Sequence, residues 1–328
     1  MSNQTLSIIN KATKNKDKYD ILTFDTHERY QTQLCKTGHN FYSFGYDDCK
    51  EWDDTYAKRP QNYYTLPKNS IINGIDFDFI LSQSKFGQFQ VAQNINRVLR
   101  LPIISLEHTL PIPSWPDAQT EAFRQMLGDL NVYISEYSIK QWKINGINET
   151  IHHSVDSELF CPSDCKQNDT VLSVVNDFAN RDYCCNYSGW QRITKDFNVR
   201  LVGKSEGLSK PAESIEDLVN EYQTSQVFLN TSTISPVPTC LLEAMSCGCA
   251  VVSTATCMIP EIIKNGINGF MSNDEEELKN YIQKLLDDEE LRNNVGKEAR
   301  QTILTQFSEQ KFIDNWNIIF KKAYEVVT

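Results

Sequence analysis

Hydroxyl side chains crowd residues 230–242 (NTSTISPVPTCLL), which pass through Pro236 and Pro238 into a run of helix formers carrying one carboxylate, Glu243. The apolar run 227–230 leads in, so the pattern reads strand, loop, helix. A helix start presents backbone N–H groups that have no partner within the helix, which makes it a seat for phosphate. A carboxylate on the following turns accepts hydrogen bonds from hydroxyl groups. The segment therefore combines anion binding with hydroxyl binding.

Two other side chains stand where a strand is expected to end. Arg181 follows the apolar run 171–175 and could grip a phosphate with two parallel hydrogen bonds, or simply pair with Asp177 or Asp182. His108 follows the run 103–106 and is either a site residue or a satisfied core histidine. The hydroxyls of Ser235 and Thr239 are explained equally well by turn formation. His152, His153, Cys161 and Cys165 invite a zinc reading, but adjacent histidines followed by Cys-x3-Cys fit no usual ligand spacing. Asp76-Phe-Asp78 lies in an expected strand and needs no metal role.

The elements that must position these groups alternate regularly. After an amino-terminal helix, strands are expected over 19–25, 39–44, 77–82, 103–106 and 131–135, with helices over 28–36, 87–99, 119–127 and 136–145. Residues from 45 to about 70 read as loop with short strands. The scheme repeats with strands over 171–175, 199–202, 227–230 and 250–253 and helices over 190–194, 214–224 and 240–247. Strands alternating with helices predict parallel sheets covered on both faces. The stretch 161–165, without apolar periodicity, is the linker candidate. Amphipathic helices over 274–286, 289–306 and 309–326 end the chain; the last has Phe312, Trp316, Ile319, Phe320 and Tyr324 on one face, which must be buried.

The block from Ser235 to Gly269 resembles the donor-site block of retaining glycosyltransferases of the two-domain GT-B type, family four (glycosyl transferases group 1). Leu242-Glu243-Ala244-Met245, Cys247-Gly248, Ala250-Val251-Val252, Pro260-Glu261-Ile262 and Asn265-Gly266 occur in the family's order. That family has two glutamates eight residues apart; the second corresponds to Glu243 and the first to Ser235. Residues 128–162 are similar to the last strand and helix of the family's first domain and its crossover, with His153-Ser154 in place of Asn-Gly and Val155-Asp156 matching. Residues 172–181 occupy the place of a strand whose Arg and Lys hold the donor phosphates; here those positions are Asn176 and Arg181. The family's glycine-rich loop after the first strand is absent, replaced by Asp25-Thr26-His27-Glu28-Arg29. The resemblance is strong over about 128–307 and faint before Phe77.

The resemblance implies an α/β fold of two Rossmann-like doubly wound parallel-sheet domains facing a cleft: 1–155 on the acceptor side, with 309–328 crossing back to it, and 156–308 binding the nucleotide-sugar donor. It implies that Glu243 binds the ribose hydroxyls, while Arg181, Asn176 and the stretch Pro238, Thr239, Cys240 and Leu241 face the diphosphate. His108 and Ser235 would lie by the transferred sugar. Transfer would proceed with retention of configuration, without a metal or other cofactor, to a glycan, lipid-linked or other hydroxyl acceptor. A sugar-nucleotide epimerase of the same fold, or a non-catalytic nucleotide- or glycan-binding member, are the alternatives.

Composition sets bounds around this reading. The 328 residues suffice for two ordinary domains, and 40% hydrophobic with 23% charged residues is the balance of a globular chain. A formal charge of −11 opposes general binding to nucleic acid or anionic lipid, so any phosphate needs a local site, and peripheral membrane contact is not indicated. No apolar run is long enough for a span, and the polar, lysine-rich start does not resemble a secretory signal. A cytoplasmic location is therefore expected, with the ten cysteines mostly reduced.

Overall fold

The computed structural model describes residues 16–47, 49–54, 56–70, 74–145, 148–163 and 168–326. The expected amino-terminal helix lies mostly outside the described residues, as do Asp164 and Cys165 of the linker candidate. The chain divides into two compact units, one of residues up to Ile151 together with those from Phe312 onward, the other of His152–Lys311.

The first unit runs β1 (Asp20–Thr23), α1 (Glu28–Cys35), β2 (Asn40–Ser43), β3 (Tyr63–Thr65), β4 (Phe79–Ser82), α2 (Gln88–Leu99), β5 (Ile103–Glu107), α3 (Asp117–Arg124), β6 (Leu130–Tyr133), α4 (Glu136–Trp142) and β7 (Asn148–Thr150). Among the described residues these strands form one sheet in the order β3-β2-β1-β4-β5-β6-β7. Every pairing is parallel, with Ile21 opposite Phe79 and Ile104 opposite Leu130. Strands β4, β5 and β6 are buried at every residue, as a sheet covered on both faces requires, which is why they read as continuous apolar runs.

The second unit runs β8 (Asn168–Val174), α5 (Asp182–Cys185), α6 (Tyr187–Thr194), β9 (Val199–Val202), α7 (Ile215–Thr224), β10 (Ser225–Asn230), α8 (Thr239–Ser246), β11 (Ala250–Ser253), α9 (Ile259–Ile262), β12 (Phe270–Met271), α10 (Glu275–Asp287), α11 (Glu289–Gln306) and α12 (Glu309–Val326). Its sheet is again parallel, in the order β12-β11-β10-β8-β9. Leu278, Ile282 and Leu285 of α10 pack with Val171, Val227, Leu229 and Val252 in one core, the helix contributing residues a turn apart. Asp274 caps α10 by accepting from the Glu277 N–H at 2.9 Å.

From Phe312 onward α12 belongs to the first unit. Its predicted apolar face is buried: Trp316 donates its indole N–H to the Tyr30 hydroxyl at 3.0 Å, and Phe320 stacks on Phe79 at 5.4 Å. The expected helix over 190–194 begins earlier, at Tyr187, because the Asn186 side chain caps it by accepting from the Gly189 N–H.

Candidate functional site

In the second sheet the chain leaves β8 toward β9 on one side and returns as β10 on the other. Beyond the carboxyl ends of strands at such a reversal the loops diverge, leaving the place where ligands bind in doubly wound sheets. The two loops there are 175–181, after β8, and 231–238, after β10. They carry Asn176, Arg181, Ser235 and Pro238, so the chain reversal gathers residues far apart in sequence.

The two loops are sewn together. Thr231 donates its hydroxyl to the Cys185 carbonyl at 2.9 Å, and the N–H groups of Thr233 and Ile234 donate to the Cys184 carbonyl at 2.8 and 3.2 Å. The short helix α5 is thus fixed against the loop leading to α8. Arg181 is the residue before α5, with its side chain exposed. The carboxylates expected to compete for it are engaged elsewhere: Asp182 accepts from Ser188 N–H and hydroxyl, both at 2.8 Å, and Asp177 accepts from Asn180 at 2.7 Å. Among the described residues Arg181 makes no ion pair, which leaves its guanidinium available to an anion.

Asn176 has a structural task in the structure. Its Oδ1 accepts from the Lys204 N–H at 2.8 Å, tying the loop after β8 to the loop after β9. Gly203 makes this approach possible: its φ is +133°, and a Cβ there would meet the Val175 carbonyl oxygen at 2.1 Å.

Helix α8 begins after Pro238, whose side chain makes no cap bond to the first N–H groups of the helix. Pro238 itself has no N–H to offer, and the Leu241 N–H turns back to the Pro238 carbonyl at 3.0 Å, while its side chain is core. Of the four residues expected at the diphosphate, Thr239 and Cys240 retain the donors best placed for it. Ser235 is half-buried in the preceding loop.

Glu243 lies on the second turn of α8, 7% exposed, and its Oε2 accepts from the Tyr222 hydroxyl at 2.8 Å. Burial, with the carboxylate beside it, drives the Tyr222 hydroxyl well above its ordinary pKa, so it stays a donor. Tyr222 was not singled out from the sequence. Its signal is its place on the buried stripe of α7 with Leu218 and Val219, since a phenol on a core-facing stripe needs a partner.

In the first unit His108 follows β5 directly. Its ring meets Tyr30 edge-on at 4.6 Å and His27 at 4.8 Å. The neighbouring Glu107 is fully buried and accepts from the Lys85 N–H at 3.1 Å and from the Thr109 N–H and hydroxyl at 2.8 and 2.6 Å. The buried Lys85 ammonium donates to the Met126 carbonyl and lies 5.7 Å from the centre of the Trp142 ring; Trp142 donates to the Thr109 carbonyl at 2.9 Å. Burial lowers the Lys85 pKa to about 8 and raises that of Glu107. This network, which holds the loop bearing His108, was also missed in the sequence, because its members come from separate loops, the end of β5 and the end of α4. Among the described residues no group of three or more His, Cys, Asp and Glu side chains is placed to hold a metal ion. No helix among them is long and apolar enough to cross a membrane.

Residues 210–302 match the family described as glycosyl transferases group 1. An N-acetyl-alpha-D-glucosaminyl L-malate synthase of Bacillus anthracis is 35% identical over 82 residues, 24% of this chain and 22% of that protein. The spore coat protein SA of Bacillus subtilis is 29% identical over 111 residues, 33% of this chain and 29% of that protein. The aligned part thus spans less than a third of the length of these curated relatives. Among solved structures, a sucrose-phosphate synthase of Thermosynechococcus elongatus superposes with a TM-score of 0.78 at 13% identity, covering 94% of this chain and all of that one. Anabaena HepE in complex with UDP-glucose superposes with a TM-score of 0.72 at 15% identity, covering 92% of this chain and 99% of that one.

Proposed function

We propose that this chain, whose residues 210–302 match the group 1 glycosyltransferases and whose fold is that of GT-B structures, moves a sugar from a nucleoside-diphosphate sugar to a hydroxyl acceptor, with retention of configuration. The observation that carries this reading is the buried Glu243, oriented by Tyr222 on the helix whose uncapped start is tied to the Arg181 turn. A carboxylate accepts hydrogen bonds on both of its oxygens, which is the chemistry that ribose hydroxyls call for. HepE has been solved with UDP and with UDP-glucose, which favours a uridine donor here.

The residues then divide the work. Glu243 holds the ribose; Arg181 and the N–H groups of Thr239 and Cys240 hold the diphosphate. As the bond between the anomeric carbon and the β-phosphate oxygen breaks, its electron pair stays on that oxygen. Negative charge grows on the leaving diphosphate, and a fixed cation and fixed dipoles bind it more tightly in the transition state than in the ground state. Asn176 acts by holding its loop to that of Lys204. Ser235 and His108 are assigned to the transferred sugar. No general base, metal or other cofactor is assigned, and the reaction is placed in the cytoplasm.

The test is binding and turnover of uridine, guanosine and adenosine diphosphate sugars by the purified protein and by Glu243→Ala and Arg181→Ala. Binding of one nucleotide that both substitutions abolish, with slow release of its diphosphate, supports the transferase. Conversion of the donor to its epimer without diphosphate release points to an epimerase. Absence of binding to every nucleotide overturns the donor site.

A further inference from the structure

The loop from β5 to α3 starts at His108 and ends at Pro116, carrying Pro111, Pro113 and Trp115 between them. Three prolines with fixed φ stiffen it, so the indole of Trp115 is held in place before anything binds. Phe86, from the loop after β4, lies 5.2 Å from Trp115 between ring centres, and Phe123, on α3, lies 4.7 Å from Phe86 and 5.4 Å from Trp115. All three rings remain half-exposed. They form one aromatic patch at the carboxyl ends of β4 and β5, the end of a doubly wound sheet at which ligands bind.

The charges around this patch narrow its ligand. Asp117 and Glu121 are exposed. Arg124 gives its guanidinium to Glu121 at 3.2 Å and to the Trp142 carbonyl at 3.0 Å. Lys85 is buried and directed to the Met126 carbonyl. The cations of the patch are thus engaged and Glu121 is paired, while Asp117 makes no ion pair among the described residues, so the patch offers an anion no cation, which disfavours a phosphate, a carboxylate or an anionic lipid surface. A pyranose ring suits it: its C–H face is apolar enough to lie on an aromatic ring, and its hydroxyls donate to carboxylates.

We propose that Phe86, Trp115 and Phe123 form a stacking platform for a neutral sugar ring of the acceptor, so that the acceptor is an uncharged glycan or glycoside. The word acceptor rests on the transferase reading above; the sugar platform itself does not.

The full-length protein labelled with 5-fluorotryptophan gives one fluorine resonance for each of its five tryptophans, and Trp115→Phe assigns that of Trp115. Titration uses methyl glucoside, methyl galactoside, methyl N-acetylglucosaminide and cellobiose, with phosphatidylglycerol vesicles as the anionic comparison. At least one saccharide should shift the Trp115 resonance saturably, leave that of the buried Trp316 in place, and bind about tenfold more weakly to Phe123→Ala. Unchanged Trp142 and Trp316 resonances in Phe123→Ala show that the fold is intact. No response to any saccharide, or a response to vesicles alone, overturns the platform. Thermal shift with UDP on the same samples separates the two ideas: stabilisation by UDP without saccharide binding removes the platform and leaves the transferase, and the converse removes the transferase and leaves a glycan-binding surface.

Discussion

The Tyr222 hydroxyl on α7 donates to Glu243 Oε2 on α8 at 2.8 Å, with both side chains buried. The bond fixes the carboxylate of a helix whose other buried residues, apart from Ser246, are apolar. Tyr222→Phe removes the donor while keeping the ring. It is expected to destabilise the protein by about 1 kcal/mol and weaken nucleotide binding severalfold. Glu243→Ala should abolish binding. Calorimetric titration with UDP and urea unfolding measure the two effects, and nucleotide binding unchanged in Tyr222→Phe shows that the phenol does not orient the carboxylate.

Arg181 depends on a neighbour it does not touch through its side chain. Thr231→Val keeps the shape of Thr231 but deletes its hydroxyl bond to the Cys185 carbonyl, loosening α5 against the loop to α8. UDP affinity should fall by about threefold to tenfold, with less effect on a nucleoside that lacks the diphosphate. Arg181→Lys keeps the charge but not the two parallel bonds, so its affinity should lie between those of wild type and Arg181→Ala.

Much of this arrangement was legible in the sequence, for identifiable reasons. Strands such as β5 and β11 are buried at every residue and stand out as apolar runs, and the α12 stripe from Phe312 to Tyr324 follows helical spacing. The loop after β10 announced itself by hydroxyls and prolines before Glu243. What escaped was short or non-local. Helix α5 has four residues and β12 two, too few for any period to show. The bond from the Lys204 N–H to the Asn176 side-chain oxygen depends on a strand pairing that sequence spacing does not reveal. The ties of Glu243 to Tyr222 and of Glu107 to Lys85 likewise join residues about twenty positions apart.

Gly203 tests that strand-end contact directly. Its φ of +133° disfavours any side chain, and a Cβ would come within 2.1 Å of the Val175 carbonyl. Gly203→Ala should destabilise the protein by roughly 2 kcal/mol or more and displace the Asn176 bond. Asn176→Ala deletes only the bond and should cost about 1 kcal/mol. Denaturant unfolding of both variants checks the order, and equal stabilities would remove the steric argument.

The buried Lys85 beside Glu107 makes a prediction about pH. The Lys85 pKa is lowered from 10.5 to about 8 by burial, with Glu107 opposing that shift. Below pH 8 the ammonium is protonated in both folded and unfolded chains, and burying it is a cost present in full. Between pH 8 and 10.5 the folded chain has released a proton that the unfolded chain still holds, so this site adds stability as pH rises and loses it as pH falls through 8. The double substitution Lys85→Met with Glu107→Gln removes both titrations with little change in volume. Relative to this variant the wild type should gain stability, on the order of 1 to 3 kcal/mol, across that window. Urea unfolding at a series of pH values for both proteins reads the difference, which also cancels the other alkaline titrations. A flat difference shows that Lys85 keeps its ordinary basicity, and a falling one shows that its pairing with Glu107 outweighs burial.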